Sequence, residues 1–271
     1  MDPLQLNYQD GAPRFVFVFA HPDDDVFISG IMKMLLIKGI EILGIWLTSG
    51  GYLGGQKRRE GELTQAMNAL ELPLNCRRML RLPDLGLIHS TDKAVSMLAE
   101  IFTDFKPQNV FVTAFEGGHP DHDAANFIVY EARFRSKTKC QLFEFPLYNG
   151  SGPFWTWRWR INSFPPGGEP TVFQKLTPFE IDRKRKMMKL YSSQWMYMIP
   201  ARLARSRKDL GKNGEPFRKC PDDRDHTVRP HSGKLNYERW FNSFMKIGFG
   251  DYVQSVKENR TFLCNNVDNV V

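Results

Sequence analysis

The chain has 271 residues, 42% of them hydrophobic and 25% charged. Those are ordinary globular proportions, which exclude a largely disordered chain and allow one large domain, or one domain with a small annex, around a sizeable core. Lys and Arg number 37 against 30 acids, a net charge of +7. Read as mostly diffuse, that excess predicts no nucleic-acid partner. The four cysteines, Cys76, Cys140, Cys220 and Cys264, are widely spaced and form no CxxC pair. They are read as reduced thiols, not as a disulfide framework. The N-terminus lacks a basic leader, and the longest apolar stretch, Val26 to Ile37, is broken by Lys33. No signal peptide and no transmembrane segment are expected, and the chain is read as cytoplasmic.

In chain order, Arg14–Ala20 reads as a buried strand and Val26–Lys38 as a helix ending at Gly39. Ile40–Thr48 is a second strand, and Ser49–Gln56, with its glycines, a loop. Lys57–Leu72 is an amphipathic helix stopped by Pro73, Arg77–Leu82 a weak strand, and Thr91–Phe105 a helix. Asn109–Ala114 is a strand, Phe115–Asp121 a loop, Asp123–Phe134 a helix and Cys140–Phe145 a strand. Phe154–Arg160 alternates tryptophans with polar residues and reads as a strand that Val172–Leu176 could pair with. Thr177, Pro178 and Glu180 form a capping box opening a helix that runs to about Ser192. Ala201–Lys219 carries seven Lys/Arg against two acids and is read as a mobile basic loop.

Strands alternating with helices predict an α/β fold, a mostly parallel sheet covered on both faces. The binding crevice then lies at the carboxyl ends of the strands. Two clusters fall there. His21-Pro22-Asp23-Asp24-Asp25 follows the first strand, and His119-Pro120-Asp121-His122-Asp123 follows Asn109–Ala114. One His-Pro-Asp alone is a common turn, and an Asp at a helix start is a cap. Two such clusters at one sheet edge point to chemistry. His21 and Asp24, three apart, can converge on one ion, and His122 would complete a three-ligand Zn²⁺ site with a position left for water. Asp23, beside the ligands, is placed as general base. His119 could be a cation facing an oxyanion or protonating a leaving amine, with Asp121 orienting its ring.

The pair HPDDD and HPDH resembles the LmbE-like/PIG-L family of zinc-dependent N-deacetylases, over roughly residues 14–195. Thr48-Ser49-Gly50-Gly51 with Arg59-x-x-Glu62-x-x-x-Ala66, and Glu180-x-x-x-Lys184 before Tyr191-Ser192-Ser193-Gln194, are similar as well. Asp25 stands where the family usually has Glu, and Tyr191 where it often has His. The resemblance implies a Rossmann-like three-layer sandwich over residues 1–195 and an irregular C-terminal cap over 196–271. It implies Zn²⁺ on His21, Asp24 and His122, with Asp23 as base, His119 at the carbonyl oxygen and Asp121 as its orienter. Arg59 would contact substrate or brace the site. The histidines beyond the core, His226 and His231, are read as surface residues.

The function expected is removal of an N-acyl group, N-acetyl first, from an amino sugar or glycoconjugate. Two other classes compete: a metal phosphohydrolase built on His122-Asp123, and a non-catalytic nucleotide-binding module. The acidic loop after the first strand, which lacks GxGxxG, argues against the second.

Overall fold

The computed structural model describes residues 13–51, 55–151, 160–204, 207–239 and 247–260. Period-two alternation builds the centre of the sheet. In β1 (Phe15–Phe19), Phe15, Phe17 and Phe19 face one side, and Val16 and Val18 the other, all fully buried. Around it lie β2 (Ile42–Thr48), β3 (Arg77–Leu82), β4 (Asn109–Thr113) and β5 (Gln141–Phe145), all parallel. The strand order is β3-β2-β1-β4-β5-β7-β6.

Helices α1 (Ser29–Ile37), α2 (Gln56–Leu70) and α5 (Pro178–Leu190) cover the phenylalanine face. There Phe111 stacks on Phe17 at 5.1 Å and on Phe143 at 5.0 Å. Helices α3 (Thr91–Phe105) and α4 (Pro120–Arg135) cover the valine face, joined by the C-terminal helix α9 (Phe249–Asn259). This is the expected three-layer α/β sandwich.

The helix expected over Val26–Lys38 is split into a 3₁₀ turn, Asp24–Phe27, and α1. The helix expected from Asp123 begins earlier, at Pro120, because His119 serves as its cap and Pro120 suits the first turn. Among its described residues, the loop expected over Ala201–Lys219 is largely helix and strand. It holds the end of α6 (Trp195–Ala204), α7 (Arg207–Asn213) and β7 (Glu215–Lys219). Strand β7 lies antiparallel to β5, and β6 (Val172–Gln174) pairs with β7, with Val172 opposite Phe217. The segment expected as a separate cap over 196–271 thus supplies a strand of the sheet and a helix on its face, besides the short α8 (Asn236–Arg239). The tryptophan strand expected over Phe154–Arg160 lies, except for Arg160, outside the described residues. Cys76, Cys140 and Cys220 are free. Among the described residues no helix is long and apolar enough to cross a membrane.

The order β3-β2-β1-β4-β5 reverses direction between β1 and β4, which pair directly, Val18 opposite Val112. The two His/Asp loops therefore leave neighbouring strands at the switch point, where an open parallel sheet forms its crevice.

Candidate active site

Three buried imidazoles converge at that point. The ring centroids of His21 and His119 are 4.7 Å apart, those of His119 and His122 5.0 Å, and those of His21 and His122 5.3 Å. The three offer nitrogens within 4.8 Å of one another. Asp24 sits among them. Its Oδ1 is 3.2 Å from His122 Nε2 and its Oδ2 3.7 Å from His21 Nδ1. Ligands bonded at about 2.0–2.1 Å around a tetrahedral ion stand roughly 3.3 Å apart, so these separations suit one small divalent cation.

The surroundings favour a cation too. Nε2 of His21 meets Asp121 Oδ2 at 3.2 Å and Asp84 Oδ1 at 3.1 Å, which fixes the ring and leaves Nδ1 toward Asp24. Burial disfavours a charged His21, but Asp121, Asp24 and Asp84 outweigh it and hold the imidazole well above its usual pKa. Burial would likewise raise Asp24, yet His122 and His21 hold it well below the usual carboxylate range. Nδ1 of His122 is buried without a hydrogen-bond partner among the described residues. A mixed nitrogen and oxygen donor set of this kind fits zinc and other borderline divalent ions.

The contacts of Asp121 and His119 differ from those expected. Asp121 does not orient His119 through its carboxylate, which receives His21 and the amides of Leu85 (2.6 Å) and Leu87 (3.2 Å). Leu85 presents its N–H from a left-handed φ of 57°. His119 instead accepts the backbone N–H of Asp121 at Nδ1, 3.1 Å, as the cap of α4. That bond leaves the ring proton on Nε2. Burial, with His21 and His122 alongside, drives the His119 pKa well below its usual value. The bond and the burial both favour a neutral His119 that donates from Nε2 over a cationic one.

Of the two roles expected for Arg59, contacting substrate or bracing the site, the contacts are those of a brace. Arg59 is buried on α2, where it donates to the Pro22 carbonyl and to Asp23 Oδ1 (2.8 Å), so it braces the β1 loop. Asp23 adopts a left-handed φ of 107°, a conformation that costs energy in a non-glycine residue. Asp25 helps hold it there. Its Oδ2 takes Tyr191 Oη at 2.6 Å, Trp46 Nε1 at 3.1 Å and the Asp23 N–H at 3.4 Å. The carboxyl of Asp23 is raised by burial, against the pull of Arg59.

Asp123, the second half of the phosphohydrolase dyad, is engaged elsewhere. Its Oδ1 accepts the amides of Glu116 (3.0 Å) and Gly117 (3.1 Å), and its Oδ2 the Tyr237 hydroxyl (3.2 Å). It shapes the β4 loop. Gly118 is required there, since a Cβ would lie 1.9 Å from the Tyr148 carbonyl oxygen. His226, read as a surface residue, is buried and meets Asn126 Oδ1 at 3.0 Å. Two site residues escaped the sequence reading: Asp84, after β3, and Tyr148, after β5, whose ring lies 5.5 Å from that of His122.

Residues 16–133 match the PIG-L family, described as GlcNAc-PI de-N-acetylase. The match spans less than half of the chain, and over those residues the chain resembles that family. No curated protein matches the sequence. Among solved structures, the zinc-inhibited form of the teicoplanin deacetylase Orf2 is 14% identical at a TM-score of 0.60, covering 78% of this chain and all of its own. The N,N'-diacetylchitobiose deacetylase of Pyrococcus horikoshii is 18% identical at 0.55, covering 81% of this chain and 87% of its own. The 4-carboxy-2-hydroxymuconate hydratase GalB of Pseudomonas putida KT2440 is 14% identical at 0.53, covering 74% and 87%. These likenesses establish a shared fold, and both deacetylases and a hydratase stand on it.

Proposed function

We propose that this protein is a metal-dependent N-deacylase that removes an acyl group, acetyl first, from an N-acylated amino sugar or glycoconjugate. The observation that carries the reading is the convergence of His21, Asp24 and His122, with Asp23 beside them on Arg59. The three residues would hold one divalent ion, zinc first. When bound, the ion supplies the Lewis acidity that makes water a nucleophile near neutral pH. Asp23 takes a proton from the attacking water and returns it to the nitrogen as the C–N bond breaks, giving a carboxylic acid and an amine. His119 donates its Nε2 proton in a hydrogen bond to the carbonyl oxygen as negative charge develops there. A neutral donor suffices for that, and nothing in this arrangement needs a cationic imidazole.

The test combines metal analysis with amine release from N-acetylglucosamine conjugates. Wild type is expected to carry one ion per chain, and His122→Ala to lose it. Asp23→Asn should keep the ion and lose about 10²–10⁴-fold in rate. His119→Ala should also keep it, although the three imidazoles alone could form a triad. Full metal content in His122→Ala overturns the ligand set. Loss of metal in Asp23→Asn exchanges Asp23 with Asp24. Water addition to an unsaturated acid without amine release would favour the hydratase chemistry of the fold.

A further inference from the structure

Helix α6 is apolar on two faces. Met198 and Ala201 are buried against the phenylalanine-side core, while Trp195, Ile199 and Leu203 form an outward stripe at i, i+4 and i+8, with Met196 and Tyr197 beside it. These five side chains are between 45% and 66% exposed. Single exposed apolar residues are ordinary, but a contiguous group of this size marks a surface that meets something. Ten residues rise only about 15 Å, half the hydrocarbon thickness of a bilayer, so α6 cannot span one.

The charge around the helix points the same way. Residues 183–212 contain ten Lys/Arg and one acid, Asp209, a net of +9 where the whole chain carries +7. The excess read as diffuse is concentrated on the segment that contains α6. Lys184 is committed to Glu215, and Arg183 reaches Glu71, but Lys186 and Lys189 are exposed.

We infer that α6 is a docking surface for an anionic phospholipid bilayer, with Trp195, Ile199 and Leu203 at the acyl boundary and the flanking Lys/Arg on headgroup phosphates. Trp and Tyr favour that boundary, and basic residues on an amphipathic helix add attraction to anionic lipid. A second copy of this chain fits less well, since it would set two strongly basic segments against each other. A nucleic acid would use the charge but give Ile199 and Leu203 no role.

The experiment is co-sedimentation of the full chain with vesicles of phosphatidylcholine alone and of phosphatidylcholine with about one-third phosphatidylserine. Wild type is expected to bind the anionic vesicles and to prefer them to neutral ones. The triple variant Trp195→Ser, Ile199→Ser, Leu203→Ser should bind them at least about tenfold more weakly. Lys186→Glu with Lys189→Glu should erode the preference for anionic lipid. Thermal melting and amine release from a soluble substrate should be unchanged in both variants, so a failed deacylase reading and a failed docking surface give separate results. Equal vesicle binding by wild type and the serine variant overturns the proposal. So does a concentration-dependent dimer in sedimentation velocity that the serine variant abolishes. Oligonucleotide binding lost with the lysine pair but kept by the serine variant, without vesicle binding by wild type, overturns it as well.

Discussion

Asp23 sits between opposed influences, and their balance sets the acid limb of the expected rate profile. Burial and Asp24 push its pKa up, while Arg59 and His21 pull it down. Removing the guanidinium therefore frees the upward push. Arg59→Met should move the acid limb of kcat/KM to higher pH while the metal stays bound, since Arg59 touches Asp23 and Pro22 and no proposed ligand. A limb that stays in place would show that Asp23 is not the base. His21, Asp23, Asp24 and His122 were readable together because the first three share one five-residue motif directly after a strand, and His122 belongs to a second in the loop after another strand. Asp84 carried no such signal. It is a lone acid in a Leu82-Pro83-Asp84-Leu85 turn, and only the folded chain brings it to His21. The true partner of Asp121 was equally hidden, because it depends on the left-handed backbone of Leu85 aiming an amide at the carboxylate.

Helix α1 follows the His21–Asp25 loop, yet no side chain caps it locally. The amides of Gly30 and Ile31 in its first turn donate instead to Glu215 on β7, at 2.9 and 2.8 Å. Lys184 of α5 meets the same carboxylate at 2.6 Å and the Val26 carbonyl as well. One buried acid therefore satisfies orphan donors of α1 and pins three elements together behind the candidate site. Removing one partner of a buried pair leaves the other charged and unpaired, at a cost of about 3–5 kcal/mol. Glu215→Ala is expected to lose that much in denaturant unfolding, whereas Asp222→Ala, which breaks the exposed pair with Arg133, should lose no more than about 1 kcal/mol. Similar losses in the two would show that Glu215 is not the cap. Strands β1 to β5 were legible because their apolar runs are bounded by turn residues. Strand β7 was not: Glu-Pro-Phe-Arg-Lys is polar and contains Pro216, and it reads as a loop. Its place in the sheet rests on partners far away in sequence, with Glu215 meeting α1, Phe217 the core and Arg218 reaching Glu144.

Across the whole molecule, the buried carboxyls divide into two groups that respond oppositely to pH. Asp24 and Glu144 are held low, the first by His122 and His21 and the second by Arg224 and Arg218, each against burial. Their contribution to stability is present above the ordinary carboxylate pKa and is lost in acid. Burial pushes Asp25 and Asp123 up to about 7, and Glu116 up to about 8. Between the unfolded value near 4 and those raised values, the native state keeps protons that the unfolded chain has released, so stability falls as pH rises through that window. His21, raised above its unfolded value, adds to the same alkaline loss in protein stripped of metal. Glu116 isolates the effect. Its Oε1 accepts the amides of Leu147 (2.8 Å) and Tyr148 (2.9 Å), tying the β4 loop to the β5 loop, and its Oε2 is buried without a partner among the described residues. An ionised oxygen there would cost far more than a protonated one. Glu116→Gln keeps an acceptor for both amides and has no proton to lose. Chelator-treated wild type is expected to lose stability from about pH 6 to about pH 8, and Glu116→Gln to lose about 2 kcal/mol less over that interval. The measurement is urea unfolding at both pH values on the two proteins. Parallel losses would mean that Glu116 is ionised in the native protein and that the alkaline loss belongs to Asp25, Asp123 or His21.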